Sequence, residues 1–187
     1  MKIPTALLAS LALALPGAGC AAPGSALTQV VVEGEVIGED GGPLPGTRVH
    51  LLLPARYGLR GLDALYGKPG DYGHDDQMRS VTADADGRFR VEFEPVTYSI
   101  MFWLIPPLGA SFQGPPDPRL GVRVEGVEEV NLIRISGSGV EVRTYRLPER
   151  TPLDGPPAFR ITGSAEAVEQ PVEGHRVHLR LERGGKP

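Results

Sequence analysis

The sequence has one cysteine, so an intrachain disulfide and a cysteine-based zinc site are both excluded. Aromatic residues are scarce, at 6% with a single tryptophan. Positive charge is scattered, and the net charge of −4 argues against nucleic acid as a partner, which needs a cationic footprint. The most apolar run, residues 3–15, is too short to cross a bilayer, which takes about 20 residues. No alternation of strand and helix patterns runs along the chain, so a parallel α/β enzyme fold is disfavoured. Glycine is not placed at every third position, so the 25 glycines and 19 prolines do not make a collagen. With 41% hydrophobic and 22% charged residues, the composition is that of a folded, turn-rich chain.

What is present begins with an address. Met1 and Lys2 give a short positive end, residues 3–15 have the size of a signal-peptide core, and Gly17-Ala18-Gly19 leads into Cys20. This resembles a bacterial lipoprotein signal, in which small residues precede a cysteine that is lipidated and becomes the mature N-terminus. Gly17 stands where that family prefers leucine, and Leu15 lies two residues upstream. The resemblance implies a signal peptide over 1–19, lipidation at Cys20, and a membrane partner through an N-terminal lipid. More than one acyl chain gives stable anchoring. Ala21, in place of the aspartate that retains such proteins at the inner membrane, points to a cell-envelope protein of the outer membrane. Residues 20–27 are small and read as a tether.

From residue 28 onward the pattern is that of strands. Phe89, Val91 and Phe93 alternate with Arg88, Arg90, Glu92 and Glu94. Val177, Leu179 and Leu181 alternate with Arg176, His178, Arg180 and Glu182, and Val30, Val32, Gly34 and Val36 with Val31, Glu33 and Glu35. Period two marks half-buried strands. Further candidates are 47–53, 78–83, 97–105, 120–125, 129–136, 139–146 and 158–163, separated by turn signals such as Asp40-Gly41-Gly42-Pro43 and Asp86-Gly87. About ten short strands with turns between them predict an all-β fold, an antiparallel β-sandwich. The apolar stretch Phe102 to Leu108 reads as a central strand ending at Pro106 and Pro107.

Four segments in order carry a second resemblance: Val32-Glu33-Gly34-Glu35-Val36, Gly41-Gly42-Pro43-Leu44-Pro45-Gly46-Thr47-Arg48-Val49, Thr82-Ala83-Asp84-Ala85-Asp86-Gly87-Arg88-Phe89, and Pro95-Val96-Thr97-Tyr98. Together they resemble the carboxypeptidase regulatory-like domain, a sandwich similar to transthyretin (prealbumin). It implies such a module over 28–136, with a 54–77 insert and with 137–187 as additional C-terminal strands or a small second β unit. It also implies an accessory or binding role, with turn glycines and aspartates that shape the fold and no catalytic residues. No cofactor is expected; the expected partner is an envelope protein or a polysaccharide.

Candidate chemistry is sparse. The 54–77 insert is long for a connection, and such loops are often functional. Its densest polar group, Asp71, Tyr72, His74, Asp75 and Asp76, is the candidate ligand contact, and it keeps open a metal-binding protein or a hydrolase-type enzyme as the alternative. Thr82-Ala83-Asp84-Ala85-Asp86-Gly87 resembles the start of a calcium loop, but the bidentate glutamate such a loop needs at its twelfth position falls on Phe93. His175 and His178 are three apart on a strand, face opposite ways and share no metal. Gly137-Ser138-Gly139 lacks the spacing of a nucleophile elbow. Transthyretin-like hydroxyisourate hydrolases end in Tyr-Arg-Gly-Ser, where this chain has Arg-Gly-Gly-Lys-Pro. Intradiol dioxygenases share the sandwich and need two tyrosines and two histidines around iron; the chain has five Tyr and four His, without the family's recognisable ligand motif.

Overall fold

The structure is a computed structural model. It describes residues 20–53, 77–105, 109–113, 119–136, 139–146, 151–168 and 174–184, and of these only the backbone over 20–28, 96–105 and 109–113. Those residues form β1 (Cys20–Ile37), β2 (Arg48–Leu53), β3 (Gln77–Thr82), β4 (Arg88–Glu92), β5 (Val96–Ile105), β6 (Gly109–Gln113), β7 (Arg119–Val124), β8 (Glu129–Ser136), β9 (Gly139–Arg146), β10 (Thr151–Pro152), β11 (Phe159–Val168) and β12 (Gly174–Arg183). The all-β expectation holds. Residues 20–27, expected as a tether, carry strand backbone and open β1. The insert 54–76 and the segment 1–19 lie outside the described residues.

Two compact units emerge, one gathering residues 27–96 and 117–187, the other 1–26 and 97–116. In the smaller, β5 and β6 pair antiparallel, with Phe102 opposite Phe112 and Trp103 opposite Ser111.

In the larger unit the strand order is β3-β2-β7-β8-β9-β11-β12-β1, with β4 on the other side of β1 and β10 beside β9. The sheet is nearly closed, and so barrel-like rather than clearly a sandwich. Among the described residues it departs from a purely antiparallel arrangement where β1 runs parallel to β12, from Gln29↔Gly174 to Ile37↔Glu182. β4 then pairs antiparallel with β1, Gly34 opposite Phe89. On the far side β11 meets β9 at Ser164↔Gly139. Between β3 and β4 the carboxamide of Gln77 takes the place of a peptide group. Its Nε2 donates to Glu94 O at 2.9 Å and its Oε1 accepts from Glu94 N at 2.7 Å.

The interior is built from the expected alternation. Val30, Val32 and Val36 on β1, Val49, Leu51 and Leu53 on β2, Leu120 and Val122 on β7, Ile133 and Ile135 on β8, and Val177, Leu179 and Leu181 on β12 are all buried in one core. Each contributes about 1.5–3 kcal/mol by leaving water. Phe89 fills the space over Gly34, where an added Cβ would lie 2.3 Å from its Cζ. The buried polar side chain of Asn131 is satisfied by Thr144, whose hydroxyl donates to Asn131 Oδ1 at 2.7 Å.

The turn between β3 and β4 locks onto β1. Asp84 Oδ1 accepts from the amides of Asp86 (2.9 Å) and Arg88 (2.8 Å), and Val36 N donates to Gly87 O at 2.8 Å. Gly87 has φ +73°, and a Cβ there would sit 2.6 Å from Val36 O. Gly46 has φ +76° with nothing within 4 Å of an added Cβ. Gly46→Ala therefore carries only the conformational cost, about 1 kcal/mol. Gly87→Ala adds steric conflict and costs about 2–4 kcal/mol. Urea midpoints of the two variants measure the difference.

Candidate functional site

Cys20, expected to be lipidated, starts β1. Tyr72, His74, Asp75 and Asp76, together with Asp71, lie outside the described residues. The Asp84–Gly87 segment is a turn whose first carboxylate is occupied by two backbone amides, as the sequence reading favoured over calcium. Among the described residues no group of three or more His, Cys, Asp or Glu is placed to hold a metal ion.

Outward side chains instead gather on two faces. The first crosses β4, β1, β12 and β11. The ladder register puts Arg90 opposite Glu33, Glu33 beside His178, and His178 opposite Ser164. Arg90 donates to Glu33. His178 Nδ1 lies 3.6 Å from Glu33 Oε2, and its Nε2 lies 3.9 Å from Glu166 Oε1, to which Arg176 also donates at 3.1 Å. One row away Arg180 bridges Glu35 at 2.8 Å and Glu182 at 2.6 Å. The hydrogen bond that Arg180 donates to Glu182, together with the charges of Glu35 and Glu182, holds its guanidinium above its ordinary pKa. A shallow depression of about 360 Å³ lies over this face, lined by Glu33, Glu35, Arg88, Ser164, His178 and Arg180 among others.

Serine, histidine and glutamate in one row invite comparison with a nucleophilic triad, and the geometry argues against it. The imidazole Nε2 faces Glu166 rather than a hydroxyl. The site also lies on a continuous sheet, whose backbone amides are spent in the ladders and leave little from which to build an oxyanion hole. These groups do form alternating cross-strand charge pairs, which contribute little at such exposure.

The second face crosses β7, β8 and β9. Arg119 stands directly opposite Arg134, and Arg134 opposite Glu141. Leu132 is opposite Arg143, and Val130 opposite Tyr145. Arg119, Leu132, Arg134, Glu141, Arg143 and Tyr145 line a depression of about 130 Å³. Arg143 donates to Glu141 through Nε at 3.0 Å and Nη2 at 2.7 Å. That hydrogen bonding, then the Arg143 charge, holds the Glu141 carboxyl below its ordinary pKa, with Arg134 adding to the effect. Sequence reasoning missed this cluster. Its members are scattered along three strands, and the only signal was the alternation of Arg143 and Tyr145 with Val142 and Thr144.

On β2, His50 Nδ1 lies 2.8 Å from Ser80 Oγ. Partial burial, then the charge of Arg123, lowers its pKa from 6.5, with Glu125 opposing and Arg48 reinforcing.

No protein-family model matches the chain, and no curated protein does. Among solved structures it is similar to 3-chlorocatechol 1,2-dioxygenase from Rhodococcus opacus 1CP, with 12% identity, TM-score 0.36, and coverage of 84% of this chain and 61% of that one. It is also similar to chlorocatechol 1,2-dioxygenase from Pseudomonas putida, with 14% identity, TM-score 0.38, and 84% and 60% coverage. For catechol 1,2-dioxygenase from Pseudomonas arvilla C-1 the values are 13%, 0.34, 94% and 56%. The chain spans about three fifths of the length of these structures, and a likeness this distant carries no argument about activity.

A histidine whose folded pKa is depressed stabilises the fold above pH 6.5, and that contribution is lost as pH falls through the unfolded value, because the unfolded chain then binds the extra proton. His50→Gln is expected to flatten the decline in stability between neutral and mildly acidic pH. Urea unfolding at pH 8 and pH 5, wild type against variant, checks this.

Proposed function

We propose that the chain is a non-enzymatic, lipid-anchored protein of the cell envelope whose β-barrel serves as a binding or assembly module. The observation that carries this reading is the filled interior. Buried valine, leucine, isoleucine and phenylalanine side chains from seven strands occupy the barrel's inside, so it encloses a packed core rather than a substrate cavity. Partners then meet the outer faces, where the charged and polar groups are. The resemblance of residues 30–100 to the carboxypeptidase regulatory-like module supports an accessory role. The small-residue run into Cys20 supports the anchor. An envelope protein or a polysaccharide is the partner class, and the outer membrane is the site.

Metabolic labelling with a fatty acid, followed by membrane fractionation, tests the anchor. Wild-type protein is expected to be labelled and to sediment with membranes; Cys20→Ser is expected to be unlabelled and soluble. A Cys20→Ser variant that still sediments like the wild type removes the anchor from the proposal. Metal analysis of untagged protein tests the non-enzymatic part. No stoichiometric metal is expected, and a stoichiometric metal would move the function to the alternative built on the 71–76 loop.

A further inference from the structure

We infer that the β5–β6 hairpin is a second membrane contact, laid in the headgroup region of the bilayer beside the anchored N-terminus. This deepens the proposed anchoring and rests on it. β12 and β4 take the two edges of β1 from Val31 to Glu35. The sheet order also sets β5 against β1, so β5 joins it nearer its beginning, and that beginning is Cys20. The smaller compact unit accordingly gathers residues 97–116 with the segment that ends at Ala26. The residue that carries the lipid and the hairpin thus belong to one body.

Composition says what this body meets. Charged residues make up 22% of the chain, yet none falls between Glu94 and Asp117, nor from Cys20 to Val32. A strand face that meets water carries charge, as on β4 and β12. A strand without charge on either face is built to be covered on both. Ile100, Phe102 and Leu104 share one face of β5, and Met101, Trp103 and Ile105 the other. The sequence reads this run as a central strand, but the structure gathers it outside the unit that holds the barrel core. Among its described residues the smaller unit has only β5, β6 and the start of β1, too few strands to bury both faces among themselves. The bilayer that receives the Cys20 acyl chains is held against this same unit and supplies the cover. Tyr98 and Trp103 are of the residue types that favour the boundary between lipid and water. Among the described residues the sheet ends at β6, whose outer backbone groups need water that a hydrocarbon interior withholds. The hairpin therefore lies at headgroup level and does not cross.

Trp103 is the only tryptophan in the chain, so its fluorescence reports on the hairpin alone. The lipidated mature chain is reconstituted into vesicles of phosphatidylethanolamine and phosphatidylglycerol, with or without phospholipid brominated on the acyl chain near the headgroup. Bromine is expected to remove at least about half of the Trp103 emission. The chain from residue 20, left unlipidated by Cys20→Ser, is expected to bind the same vesicles reversibly with a blue-shifted emission. Phe102→Glu/Leu104→Glu in that background is expected to bind at least about tenfold more weakly. Emission indifferent to bromine overturns the contact. If acrylamide also fails to quench it, the hairpin is covered by protein, whether its own core or a second copy, and the contact is equally overturned. Failure of the unlipidated chain to bind vesicles, or full binding by the double variant, overturns it too. The bromine measurement needs no substitution, so it decides the matter even where the double variant does not fold. The anchor fails separately: fatty-acid labelling and sedimentation with an unquenched Trp103 leave the anchor standing and this contact refuted. A chain that takes up no fatty acid removes the anchor, while vesicle binding from residue 20 onward still supports the hairpin.

Discussion

The parallel seam between β1 and β12 is the constraint on which the barrel depends. It places the first strand between the last one and β4, so that Val32 meets Val177 and Val36 meets Leu181 across the ladder. β11 and β12 form a long antiparallel pair, and β12's other edge has β1 as its ladder partner. Without β1 that half of the core would face water, and β4 would lose its ladder partner. A parallel pair needs a crossover, and here nearly the whole barrel is the crossover. The contact is among the most remote in sequence: Arg180 reaches Glu35 across 145 positions. Closure of this kind carries a high loop entropy.

The same register decides where charge is balanced. Along β4, β1, β12 and β11, outward arginine and glutamate alternate between strands, and the ion pairs Arg90–Glu33, Arg176–Glu166 and Arg180–Glu35 follow. At this exposure the pairs add little stability and mainly favour one register over slipped ones. Across β7, β8 and β9 the antiparallel ladders set Arg119 opposite Arg134 and Arg134 opposite Glu141.

Much of the fold was legible because burial on one face writes itself as period two. Phe89, Val91 and Phe93, and Val177, Leu179 and Leu181, are buried as the alternation required. The Asp86-Gly87 turn was legible because positive φ selects glycine. The parallel pairing was not, since alternation tells which face a residue takes and is silent about the neighbouring strand. Strand β11 was expected to end near 163 and runs to Val168. Gly163 sits inside the strand, where His178 O would lie 2.3 Å from an added Cβ. The arginine depression was illegible for a related reason: Arg119, Arg134 and Arg143 are ordinary outward positions until two registers bring them together. The 71–76 group, the most visible polar cluster in the sequence, falls outside the described residues.

Parallel neighbours at the two ends of a polypeptide have a mechanical consequence. Tension applied between the start of β1 and the end of β12 pulls the two strands lengthwise past each other, so the hydrogen bonds from Gln29 to Ile37 bear the load together. An antiparallel pair pulled from its open ends would instead peel one bond at a time. A body held at its leading end and tugged at its trailing end is thus loaded in its stiffest direction.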